Sequence, residues 1–238
     1  MRVAVVGALI ALLAMPAAAQ SYDESRRICL EAGAKPSELL VACGVLITGG
    51  RENAVDLAKA HLKRGFAYRE QGQLDLGLQD YGQAIGLDPT NPSAFNNRGL
   101  ALLDKGDNHR ALVDFERLVA LRPNDYRSYY RRCEGNAAVD RLDAALADCN
   151  TALELRPDYF PILDVRALVY LKSGSYGAAI ADYSAMLEED PDFALPLFGR
   201  GVARLRSGDK AGGDSDIAKA LEEDPEVAEI MAKRGIRP

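Results

Sequence analysis

Small, apolar and turn-forming residues recur along the chain with one fixed spacing. Prolines stand at 89, 123, 157, 191 and 225, each 34 residues from the next without insertion or deletion. A constant period of this size marks stacked supersecondary units. Two series of small residues run in phase with the prolines: Gly65, Gly99, Cys133, Ala167, Gly201 and Gly235, and then Gly77, Ala111, Ala145, Ala179 and Gly213. Small side chains at two fixed offsets let two helix axes approach closely, so each unit is expected to be a helical hairpin. With Ala58 as position 1, the small series fall at positions 8 and 20 and the prolines at position 32. Gly72, Gly106, Gly174 and Gly208 fall at position 15, where glycine takes the positive φ that closes a helix; Asp140 alone departs. The proline ends the second helix by removing a backbone donor and restricting the residue before it.

The units divide the chain at 58–91, 92–125, 126–159, 160–193 and 194–227. Residues 228–238 restart the pattern with Met231, Arg234 and Gly235 and read as a capping helix over the last apolar face. Residues 20–57 are expected to form a hairpin of another sort, with a turn at Gly33-Ala34-Lys35-Pro36 and Gly49-Gly50 closing its second helix.

Residues 1–19 differ in kind. Arg2, the apolar run Val3 to Ala14, and Pro16 before Ala17-Ala18-Ala19 have the build of a secretory signal peptide. The apolar run is about twelve residues, short of the roughly twenty that a membrane-spanning helix needs. The mature chain is expected to begin at Gln20, exported and periplasmic, without stable membrane insertion.

Arg64-Gly65-Phe66-Ala67-Tyr68, followed by Gly77, Tyr81, Ala84 and Pro89, resembles a tetratricopeptide repeat, and four more units follow in register. Phe95, Tyr129, Tyr170, Phe115, Tyr183, Ala152 and Ala220 fit that family's pattern, while His61, Asn136, Arg204, Leu118 and Met186 depart from it. The resemblance implies an all-α, right-handed superhelical solenoid of about five hairpins between the two caps. The whole pattern is similar to periplasmic tetratricopeptide proteins of Gram-negative bacteria.

Position 7 is arginine throughout (Arg64, Arg98, Arg132, Arg166, Arg200, Arg234) and position 23 is aspartate (Asp80, Asp114, Asp148, Asp182, Asp216). Measured from the turn near positions 31 and 32, residue 23 of one unit lies level with residue 7 of the next. The expected pairs are therefore Asp80–Arg98, Asp114–Arg132, Asp148–Arg166, Asp182–Arg200 and Asp216–Arg234, one between each hairpin and its successor. A catalytic row is disfavoured, because catalysis needs a unique cluster with unequal environments and this arrangement repeats.

In an oxidising compartment the four cysteines tend to pair. Cys29 and Cys43 lie seven residues either side of Pro36, opposite one another in the N-terminal hairpin. Cys133 and Cys149 occupy positions 8 and 24 of one unit, about a turn from direct opposition; they are either bridged or buried thiols. No metal-ligand spacing involves them or the two histidines, His61 and His109, and no cofactor is implied.

In the resembled family the first helix of each unit lines the concave side through positions 2, 5, 9, 12 and 13. Here that assigns Leu62, Phe66, Leu100, Leu103, Tyr130, Leu168, Leu171 and Phe198, with Val202 and Leu205, to a largely apolar groove. Such a groove suits a helix or extended peptide, unless part of the stripe is covered internally. The carboxylate clamp of some tetratricopeptide co-chaperones is matched by Asn97, Arg127 and Arg131, but Leu62 and Phe66 replace its first two residues, so the clamp is incomplete.

The net charge of -6 and pI near 5.1 leave no broad basic surface for a phosphate backbone, which argues against nucleic acid. No nucleophile elbow, phosphate-cradling loop or histidine–carboxylate cluster is recognisable. The expected function is a non-catalytic protein-interaction scaffold of the cell envelope. Its rivals are a regulatory subunit of an envelope enzyme and a cell-wall glycan binder, the latter weakened by the absence of Trp.

Overall fold

A computed structural model describes the backbone of residues 17–238 and side chains from residue 21 onward. Residues 1–16 of the expected signal segment lie outside the described residues, and its small-residue triplet falls in the first turn of the first helix. All regular structure among the described residues is α-helical. The chain divides into two compact units, residues 1–107 and 108–238.

The first unit contains α1 (Ala17–Leu30), α2 (Pro36–Gly49), α3 (Ala54–Glu70), α4 (Leu74–Leu87) and α5 (Pro92–Lys105). The second contains α6 (Asn108–Leu121), α7 (Tyr126–Ala138), α8 (Leu142–Leu155), α9 (Phe160–Lys172), α10 (Tyr176–Glu189), α11 (Ala194–Ser207), α12 (Lys210–Glu223) and the short α13 (Val227–Lys233). Within each unit, helices adjacent in sequence pack together. First helices of successive hairpins also touch, α3 with α5, and α7 with α9 with α11.

Several boundaries have a local cause. The side chains of Asn53, Asn91, Asp125 and Asp209 accept from backbone amides of the helices they precede, satisfying donors a helix start leaves open. Between hairpins, Asp88, Asp190 and Asp224 accept from the amide two residues on, across the proline turn. Within the hairpins, Gly72, Gly106, Gly174 and Gly208 take positive φ, as expected, and Asp140 does the same at φ 55°. Its short polar side chain tolerates the left-handed region better than most, and Lys172 pairs with it at 3.0 Å. The departure in sequence leaves the turn unchanged.

Two helices of a hairpin meet where small residues allow it. A Cβ on Gly77 would lie 3.0 Å from the Gly65 carbonyl, and one on Gly65 would lie 2.9 Å from the Tyr81 ring. A side chain at either position would have to displace the Tyr81 ring or press on the facing carbonyl.

The first hairpin is a cap with its own core. Tyr22, Cys29, Leu39, Ala42, Cys43 and Leu46 are buried together with Ala60 and Ala67 of α3. Cys29 and Cys43 stand in disulfide geometry with Cα atoms 5.0 Å apart, tying α1 to α2. A polar strap fastens the cap to α3: Tyr22 Oη donates to Glu52 at 2.9 Å, and Arg26 donates to Glu52 at 3.2 Å and to Asp56 at 2.7 Å.

Candidate functional site

The charge ladder exists, but in a different register from the expected one. Arg64 donates to Asp80 through Nε at 2.7 Å and Nη2 at 2.8 Å. The same two-pronged pair joins Arg132 to Asp148, Arg166 to Asp182 and Arg200 to Asp216, at 2.6 to 2.9 Å. Each pair lies within one hairpin, sixteen residues apart. The expected partnerships of Asp80 with Arg98, Asp114 with Arg132, Asp148 with Arg166, Asp182 with Arg200 and Asp216 with Arg234 are thereby overturned. Positions 7 and 23 are also equidistant from the turn glycine at position 15, and that turn is the tight one. It brings the two helices into contact at their small residues, so position 7 meets position 23 of its own unit first.

Three departures from the family pattern find their explanation here. His61 Nδ1 lies 2.7 Å from Asp80 Oδ1, Asn136 donates to Asp148 at 2.9 Å, and Arg204 donates to Asp216 at 2.7 Å. Each adds a further partner to a carboxylate that is buried, where unmet acceptors are costly. Burial opposes ionisation of Asp80, but the hydrogen bonds from Arg64 and His61 outweigh it and hold its carboxyl below the usual range. In the four described pairs both carboxylate oxygens accept from the arginine fork, which suits a structural role.

Cys133 and Cys149 also stand in disulfide geometry, with Cα atoms 5.4 Å apart. The expected offset of a turn is not there. Positions 8 and 24 are in direct contact in other units too, as Gly65 with Tyr81 and Gly201 with Ile217. The cysteine pair substitutes for that small-to-large contact, one residue along from the Arg132–Asp148 pair.

The residues assigned to the groove separate into two environments. In the first unit, Leu62, Leu100 and Leu103 are half-buried, and Phe66 is 38% exposed. Leu62 and Phe66 line an open cavity of about 310 Å³ with Leu39, Lys63, Asn97 and the cap turn around Gly33. The Asn97 side chain at this cavity accepts from the Asn96 amide at 3.0 Å. Lys63 is turned aside and donates to the Glu31 carbonyl at 2.5 Å.

In the second unit, Leu168, Leu171 and Phe198 are buried, at 8%, 1% and 1% exposure, and Val202 is buried with them. They belong to a core shared with Val227, Met231 and Ile236 of the C-terminal segment. As the chain stands, these groove positions face the protein itself. Tyr130 is half-buried, edge-on to Tyr159 at 5.8 Å, which meets Tyr126 at 5.0 Å. Arg131 pairs with Glu134 at 2.7 Å and lies over the Tyr130 ring, while Arg127 is exposed above Tyr126. An acid ligand at Arg131 would have to compete with Glu134.

The sequence reading missed Asp164 and the course of the last residues. Asp164 occupies position 5, otherwise held in these units by Leu62, Asn96, Tyr130 and Phe198, and it accepts from Arg234 at 2.7 and 3.2 Å. A lone acid in that row was a visible signal that something basic lies opposite.

Among the described residues, no helix is long and apolar enough to cross a membrane, and no three His, Cys, Asp or Glu side chains are grouped to hold a metal ion. No curated protein matches the chain. Solved structures do. A tetratricopeptide repeat protein from Parabacteroides merdae superposes with TM-score 0.73 at 19% identity, over 90% of this chain and 89% of that one. MamA follows with TM-score 0.61 at 23% identity, over 76% of this chain and 97% of its own. YrrB, described as a TPR protein with an unusual peptide-binding site, superposes with TM-score 0.61 at 17% identity, over 82% and 98%. A TPR repeat model matches residues 65–106, and a tetratricopeptide repeat model matches residues 96–160 and 165–228, more than half of the chain. The paired helices, the small-residue seams and these matches agree: the chain belongs to the tetratricopeptide repeat family.

Proposed function

We propose that this protein is a non-catalytic scaffold of the bacterial cell envelope, exported by its first nineteen residues, which binds a peptide or helix of another protein. The observation that carries the reading is the open cavity of the first unit. Phe66 and Leu62 are left accessible on the row of first helices, next to an amide and to the cap turn. Accessible apolar anchors with a few polar groups at the edge are what peptide recognition uses. The chain's units and the two cysteine pairs suit an extracytoplasmic protein that must stay folded in an oxidising compartment. YrrB, whose fold is similar, is described as having a peptide-binding site, which supports the class of ligand and says nothing of its identity.

The test is retention of envelope proteins by the mature chain, Gln20 to Pro238, against a variant carrying Leu62→Glu and Phe66→Glu. A partner held by the first and released by the second, with helicity unchanged, supports the reading. Equal retention by both would move the binding surface elsewhere. Cell fractionation with and without residues 1–19 tests export: the full chain should collect in the periplasm and the shortened one in the cytoplasm.

A further inference from the structure

The C-terminal segment of the second unit is built like a ligand. α13 has seven residues, too few to persist as a helix in water without docking. It ends at Gly235, φ 83°, where the Gly235 amide donates to the Ala232 carbonyl and the Ile236 amide to the Met231 carbonyl. This termination folds the chain back so that Met231 and Ile236 approach the same surface. Both are buried, at 0% and 1% exposure, in one core with Leu168, Leu171, Phe198 and Val202. These four are among the positions that the tetratricopeptide resemblance assigns to partner binding. Around them the segment is held by polar contacts. Arg234 forks onto Asp164 at 2.7 and 3.2 Å, and Arg206 donates to the Arg237 carbonyl at 2.8 Å. Ile236 and Gly235 border an open cavity with Lys172, Arg206, Leu142 and Asp140.

Arg234 is also out of pattern. The other position-7 arginines described with a carboxylate pair across their own hairpin, whereas Arg234 reaches an acid seventy residues away on the first-helix row.

We infer that residues 227–236 are a resident pseudo-ligand on the first-helix face of α9 and α11, displaced by a partner segment that presents two apolar anchors and a basic residue for Asp164. The inference rests on the reading of the first-helix row as a peptide-binding surface. It adds that half of this row is closed in the free protein. A competitor need only exceed the segment's own docking, whose effective concentration is that of a short tether, in the millimolar range.

The probe is a fluorescein-labelled peptide of residues 226–238, titrated by anisotropy against the full mature chain and against the variant Arg234→Ala with Ile236→Asp. The variant should bind at least ten-fold more tightly than the wild type, because its own segment no longer competes. Adding Asp164→Arg to the variant should abolish that binding, and a probe with its own Arg234→Glu change should recover it. Equal binding by wild type and variant, insensitivity to Asp164→Arg, or no binding by a folded variant each overturn the inference. Should the variant fail to fold, hydrogen exchange on the wild type decides. Amides of 227–236 exchanging at least ten-fold faster than those of α9 and α11 show a segment that opens alone. Exchange at the same rate makes it fixed core and ends the proposal. None of these outcomes touches Leu62 or Phe66, so the partner reading stands or falls separately.

Discussion

The same row of first-helix positions meets two fates in this molecule. In the first unit Leu62 and Phe66 border open space, whereas in the second Phe198 and Val202, at corresponding positions, are sealed beneath Met231 and Ile236. The sequence puts apolar residues at these positions in both places. What differs is the neighbour: beside Leu62 and Phe66 the cap brings Leu39 and the turn around Gly33, which leave the cavity open, while the C-terminal segment packs Met231 and Ile236 into one core with Phe198 and Val202. A groove position in a repeat protein is therefore defined by what lies over it, and periodicity alone does not report that.

Truncation should separate the two regions most sharply. Phe198→Ala removes a fully buried ring and is expected to cost about 4 kcal/mol, whereas Phe66→Ala, already exposed, should cost under about 1 kcal/mol. Denaturant unfolding of both variants measures this. Similar losses at the two sites would mean that the open face is covered in solution.

The ladder offers the next largest effect. Asp80→Ala would leave Arg64 and His61 facing a buried gap, at a cost of about 3 kcal/mol. A double-mutant cycle should give strong coupling for Arg132 with Asp148 and none for Arg166 with Asp148, because only the former pair is formed. The pH dependence has a definite sign. The folded-state pKa of Asp80 is depressed, so its contribution is complete above the unfolded value near 4. It is lost as pH falls through the folded value, and Asp80→Asn should flatten the stability curve below about pH 4.

How far the sequence led is clearest at this ladder. The 34-residue period, the turn glycines and the acid and base series were all legible, because helical periodicity and turn chemistry are local properties. The pairing was not, because positions 7 and 23 are symmetric about two turns, and spacing alone cannot rank two turns of unequal tightness. Cys133 and Cys149 held the answer: they are separated by the same sixteen residues as each Arg–Asp pair, so a bridge there fixes the register of the hairpin. The covered half of the groove was out of reach for another reason. It depends on the path of residues 234–236 after a helix too short to announce its direction, and only Asp164 hinted at it.

Removing each cysteine pair tests whether the two regions are stabilised alike. Their loops are of similar length, with separations of 14 and 16 residues, so chain entropy predicts about 3 kcal/mol for each. The consequences should differ in place. Without Cys29–Cys43 the loss should stay in the cap, seen as faster exchange of α1 and α2 amides, because the cap is terminal and packs chiefly on α3. Without Cys133–Cys149 the loss should spread to α9, since Cys149 and Ile162 share one core.

The smallest effect concerns the one hairpin turn built without glycine. Asp140 holds φ 55° where Gly72, Gly106, Gly174 and Gly208 hold the same region without a Cβ. For an L-residue that conformation costs about 1 kcal/mol, partly offset by the pair with Lys172. That pair is largely solvent-exposed on the aspartate side, so the offset is small. Asp140→Gly should therefore raise stability by somewhat under about 1 kcal/mol, read as a shift in the denaturation midpoint. A loss instead would mean that the contact between Lys172 and Asp140 holds α7 to α9 more firmly than its exposure implies.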